Sequence, residues 1–131
     1  MINFKSLLQE IRQNKRTAYY FIFAISSVVI FSCLPNFHPD KYINDRYDTR
    51  GDLWIHAAAY CMMGILGGIL LYPSRRLIVL NLVLLVIFSV LMEFVQLIVP
   101  ERGFSLLDIL SNLFGIAIAA VVLLVIYKFR K

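Results

Sequence analysis

The sequence predicts an all-α membrane protein, with four transmembrane helices preceded by a short basic amphipathic N-terminal helix. Three observations carry this. Of 131 residues, 60% are hydrophobic. Charged residues make up 16%, against roughly 25% in ordinary globular proteins. The apolar residues gather in four runs, about residues 18–34, 53–72, 77–99 and 104–127, near the roughly 20 residues that cross a hydrocarbon core. This organisation predicts a leader over 1–17 and one membrane domain over 18–131. The net charge of +5 is spread between apolar runs rather than along one stripe, so no nucleic-acid partner is expected.

In the leader, Phe4, Leu7, Leu8 and Ile11 recur at helical spacing, with Lys5, Arg12, Lys15 and Arg16 between them. That is the pattern of a helix lying on a membrane surface; a disordered charged leader is the alternative. The first span, 18–34, has Tyr19 and Tyr20 at one edge and Pro35 beyond the other. A basic leader before an apolar run also resembles a signal peptide, but three more spans follow and no soluble domain awaits export. The connector 35–51 balances its charges and carries no motif. Asp52 opens the second span in a position suited to an N-cap. Gly64, Gly67 and Gly68 within that span allow helices to approach closely. Pro73 to Arg76 and Pro100 to Gly103 read as tight turns, which predicts spans two, three and four side by side. Cys33 and Cys61 lie in apolar runs with no Cys-x-x-Cys spacing and read as packing residues.

Lys and Arg are unevenly divided between the two sides. Nine lie in the leader, the 73–76 turn and the tail, and four in the long connector and the 100–103 turn. The positive-inside rule then predicts both termini in the cytoplasm. The connector and the Pro100 turn face outward.

Costly polar residues collect at that outward end. Asp52 and His56 are four apart on one helical face, Glu93 and Gln96 three apart, and Asp108, Asn112 and Gly115 form a stripe at i, i+4 and i+7. Arg102 sits in the turn between them. At a rise of about 1.5 Å per residue, His56 lies roughly 6 Å below Asp52, Glu93 roughly 10 Å below Pro100, and Asp108 roughly 8 Å below Arg102. One outward-opening polar pocket would contain them all. Gln96 reads as its most solvated member. Asn81 is the polar exception in the opposite half.

The arrangement fits acid–base chemistry by His56, Glu93 and Asp108, with Asp52, Gln96, Arg102 and Asn112 binding. Arg102 would take an anionic group such as a lipid phosphate. A divalent metal at Asp52, His56, Glu93 and Asp108 is disfavoured by the single histidine and the lack of a spaced His pair, and no cofactor is expected. A proton path would need polar residues through the full depth, which are lacking. The bland alternatives are a buried Glu93–Arg102 ion pair and an Asn112 that only hydrogen-bonds between helices. They would make the chain a non-catalytic membrane module whose polar residues lock the helices.

Together these residues resemble the VanZ-like family of small polytopic membrane proteins. The family's Asp four before a His matches Asp52 and His56, and its Glu-x-x-Gln matches Glu93 and Gln96. Arg102 matches its turn Arg, and Asp108, Asn112 and Gly115 its Asp-x-x-x-Asn-x-x-Gly. Tyr60 matches an aromatic. The resemblance covers about residues 50–120. The family commonly has Lys directly after the first Asp, where this chain has Leu53; Arg50 or Arg102 would have to take over any anion contact made by that Lys. The resemblance implies a bacterial cytoplasmic-membrane protein and membrane lipids as partners. By analogy it also points to a link with glycopeptide (teicoplanin-type) antibiotic resistance, while the polar pocket itself is expected to take the head of an envelope lipid, a lipid-linked envelope precursor or a lipoglycopeptide. Catalysis and binding both stay open.

Overall fold

The computed structural model describes residues 15–33, 51–72, 74–99 and 104–129. They form four helices: α1 Lys15–Cys33, α2 Gly51–Leu70, α3 Arg75–Gln96 and α4 Leu106–Phe129. The leader up to residue 14, the 35–50 connector and the Pro100–Gly103 turn with Arg102 lie outside the described residues.

Three segments are long and apolar enough to cross a membrane: Leu53–Leu70, Arg75–Gln96 and Leu106–Phe129. The apolar part of α1, Ala18–Ile30, is shorter. Its helix gains its remaining length from Lys15, Arg16 and Thr17 at one end and the stretch to Cys33 at the other. In hydrocarbon a helix satisfies its own backbone groups, which is why long apolar runs take this form.

Helix boundaries depart from the predicted ones by one to three residues. Asp52 is the second residue of α2 rather than the residue before it. α3 ends at Gln96, not 99. Beyond it the N–H groups of Leu97, Ile98 and Val99 bond to the carbonyls of Phe94, Val95 and Gln96 at 3.2, 3.1 and 3.2 Å. This tightened turn satisfies carbonyls that the helix end leaves over, ahead of a proline that excludes helix. α4 starts at Leu106 and extends to Phe129.

Short turns do make α3 an antiparallel neighbour. Arg75 at its start lies over the Tyr127 ring near the end of α4, and Glu93 near its end meets Ser105 at the start of α4. The most extensive packing, however, joins α2 and α4, which run parallel. Along this seam Ala57 faces Gly115, Gly64 faces Ala119 and Gly68 faces Leu123. A Cβ at Gly115 would collide with the Ala57 carbonyl oxygen, and one at Gly64 would stand 2.6 Å from Ala119 Cβ. Small residues here bring the two backbones close enough for dispersion contacts to hold them. α1 completes the bundle against α2 and α3, with Ala24 in a core cluster beside Tyr60, Met63, Leu85 and Ile116.

The exterior of the described helices is apolar, and the interior holds several polar residues beside its apolar core. Only 28–39% of the residues in the three spanning segments are buried within the chain. Leu84, Ile87 and Leu91 of α3 and Val121, Leu124 and Val125 of α4 point outward, whereas Ser89, Glu93, Gln96 and Asn112 are buried. Water would not tolerate that apolar exterior; lipid does. Cys61 is a free thiol.

Candidate functional site

Three helices bring predicted residues together at the end of the bundle where α2 and α4 begin and α3 ends. His56 of α2 stands between two residues of α4. Its Nδ1 is 3.1 Å from Asn112 Oδ1, and its Nε2 is 3.9 Å from Asp108 Oδ2. The i, i+4 spacing of Asp108 and Asn112 places both on the face that the ring meets. With Asn112 Oδ1 as acceptor, the Nδ1–H group donates to it, and Nε2 is the nitrogen that faces the Asp108 carboxylate. Gly115, one turn further along α4, permits this approach by letting the α2 backbone close on α4 at Ala57.

Glu93 enters from α3. Its Oε2 accepts the backbone N–H of Ser105 at 3.2 Å, the residue that precedes α4. Ser105 Oγ in turn accepts the Asp108 N–H at 3.2 Å, a side-chain N-cap in the Ser-x-x-Asp spacing. Glu93 and Asp108 therefore both set negative charge against the positive end of the α4 dipole. The turn meets Glu93 through a backbone N–H. Arg102, the predicted ion-pair partner, lies outside the described residues. Replacing Ser105 by alanine is expected to cost about 1 kcal/mol of stability, read as a lower unfolding midpoint in detergent.

Burial divides the cluster. Glu93, Gln96 and Asn112 are 1–2% exposed, whereas the side chains of His56 and Asp108 are 14% and 15% exposed. Gln96 is thus an interior residue and not the solvated member expected. It lies one helical turn past Glu93 on the inward face of α3, and the hydrogen-bonded turn Leu97–Val99 continues from that end of the helix. Tyr60, one turn along α2 from His56, buries its hydroxyl, which has no hydrogen-bond partner among the described residues. Ser89, one turn before Glu93, returns its hydroxyl to the Val86 carbonyl at 2.9 Å.

A cleft of about 300 Å³ opens at the same end between α2 and α4. It is lined by Leu53, Trp54, Ala57, Leu107, Leu110, Ser111 and Phe114. None of the clustered polar side chains lines it; they form a hydrogen-bonded junction beside the α2–α4 seam. Among the described residues no group of three or more His, Cys, Asp or Glu could hold a metal ion. Asp52 belongs to the first turn of α2, and its side chain lies outside the described ones.

Reading the sequence missed Ser105, which was legible through its Ser-x-x-Asp spacing before an apolar run. Tyr60 stood out only through the family resemblance, as the aromatic one turn past His56; its burial is what the structure adds.

An apolar exterior and three helices long enough to span define a multi-pass helical membrane protein. The family model described as VanZ/LLP1 matches residues 4–127, nearly the whole chain, and the chain belongs to that family. No curated protein and no solved structure matches it.

Proposed function

We propose that the protein crosses the bacterial cytoplasmic membrane four times, with both termini in the cytoplasm, 1–17 as a surface leader and 18–131 as the membrane domain. Its outward junction binds the polar head of an envelope lipid or lipid-linked cell-wall intermediate. The observation that carries this reading is the meeting of His56, Asp108, Asn112 and Glu93 from three helices at one end, with His56 and Asp108 at its accessible edge. Ionisable groups at membrane depth are costly, and function is the default reason for keeping them. In this reading His56, Glu93 and Asp108 handle protons, while Asp52, Gln96, Arg102 and Asn112 position the head group. The buried Tyr60 hydroxyl supplies one more hydrogen-bonding group.

The test is complementation of a deletion strain with a cell-envelope phenotype. His56→Ala, Glu93→Gln and Asp108→Asn are expected to fail while folding normally, and Asn81→Ala, at the other end, to succeed. Full complementation by all three site variants at normal expression overturns the proposal. Lipids that copurify with the wild type and are lost in Arg102→Ala would identify the ligand. A shift in teicoplanin susceptibility on deletion tests the resistance link.

A second reading is supported by the Glu93–Ser105 bond and by the His56–Asn112 pair. Both join helices, so the polar residues would serve as a lock in a non-catalytic module. That reading requires every loss of function to track a loss of detergent stability. Stable, inactive variants rule it out.

A further inference from the structure

The opposite end of the bundle carries a second feature that the outward junction does not use. Between the start of α3 and the end of α4 lies a groove of about 300 Å³. Val79 and Leu82 of α3 and Ala120 and Leu124 of α4 wall it, and Arg75 and Tyr127 close its head. From Arg75 to Leu82 it extends roughly 10 Å along the helix, at about 1.5 Å per residue. Its walls offer nothing polar below Arg75.

The head of the groove is cationic. The Arg75 guanidinium lies 4.4 Å from the centroid of the Tyr127 ring, which meets Tyr72 edge-on at 5.7 Å. One planar face of the guanidinium is thus held on an aromatic surface, which leaves its N–H edge for a fork-like contact with an oxyanion. Arg76 and Lys128 stand exposed at the same end. No Asp or Glu occurs from 53 to 92 or from 109 to 131. Arg75 and Arg76 also occupy the first turn of α3, the positive end of its dipole, where cations are disfavoured unless an anion joins them.

We infer that this groove is a binding site for a membrane phospholipid with an anionic head group. An acyl chain lies along Val79, Leu82, Ala120 and Leu124, and the phosphate is held by Arg75 with Arg76 and Lys128. Charge complementarity selects the lipid: the groove alone would accept any acyl chain, whereas among the described residues the head of the site is cationic and carries no carboxylate. Basic pockets between membrane helices recognise anionic lipids by this combination. The proposal is independent of the outward junction and of which way the protein is inserted.

The full chain, purified in a mild detergent, is tested by native mass spectrometry with phosphatidylglycerol and phosphatidylcholine of identical oleoyl chains. The wild type is expected to retain phosphatidylglycerol in preference to phosphatidylcholine by on the order of tenfold. The double variant Arg75→Gln/Arg76→Gln should lose the preference, and Arg75→Lys/Arg76→Lys should keep most of it. Ala120→Phe, which fills the groove, should reduce retention of both lipids. Equal retention of the two lipids by the wild type overturns the proposal, as does undiminished binding in Ala120→Phe. If the charge variants do not fold, the wild type decides. Thermal stabilisation by phosphatidylglycerol must weaken as salt rises, and a salt-independent effect counts against the site.

Discussion

Replacing Gly115 with alanine is expected to destabilise the folded protein by about 3 kcal/mol, in the upper part of the range for overpacking. The added Cβ would run into the backbone carbonyl of Ala57, where no side chain can move aside. The α2 and α4 backbones would have to separate along the bundle's most extensive seam, drawing His56 away from Asn112 and Asp108. Reversible unfolding in detergent measures the cost. Gly67→Ala is the control, because its Cβ would meet the Asn81 side-chain amide at 2.6 Å. That amide ends a side chain with its own rotamers, so its displacement should cost less. Equal losses in the two variants would mean that the seam yields more easily than the Ala57 contact implies.

Glu93→Leu is expected to cost about 2 to 3 kcal/mol, by leaving the Ser105 N–H without its acceptor beneath the turn. Glu93→Gln keeps an oxygen at that position and should cost under about 1 kcal/mol. The pair therefore separates structure from chemistry. If the carboxylate handles a proton, Glu93→Gln is stable and inactive. If it serves only as a cap across helices, Glu93→Gln retains function and Glu93→Leu loses function and stability together. Unfolding midpoints and complementation measured on the same two variants distinguish these outcomes.

Both predictions concern residues that stood out in the sequence, but for reasons that only partly coincide with their structural roles. Glu93, Asp108 and Asn112 were conspicuous because polar groups in apolar runs are expensive, and spacing showed which of them share a helix face. Spacing could not show that the turn would meet Glu93 with a backbone N–H, since that depends on how α3 and α4 are set against each other. Gln96 was misjudged for a related reason. Distance from the end of an apolar run suggests solvent, yet Gln96 lies on the inward face of α3 and is 2% exposed.

Composition and the length of the apolar runs were by themselves sufficient for the helical membrane class and for three spanning segments. A hydrocarbon medium leaves so few ways to satisfy a backbone that apolar length nearly determines form. Periodicity likewise identified the polar faces, because helix geometry is local. The pairing of helices was not local. Short turns point to sequential neighbours, whereas the broadest seam joins α2 to α4, where glycines and alanines let the backbones close. That parallel contact places His56 between Asp108 and Asn112. It was decided by tertiary packing because non-sequential helices meet according to the shapes of their surfaces, which no single helix specifies alone.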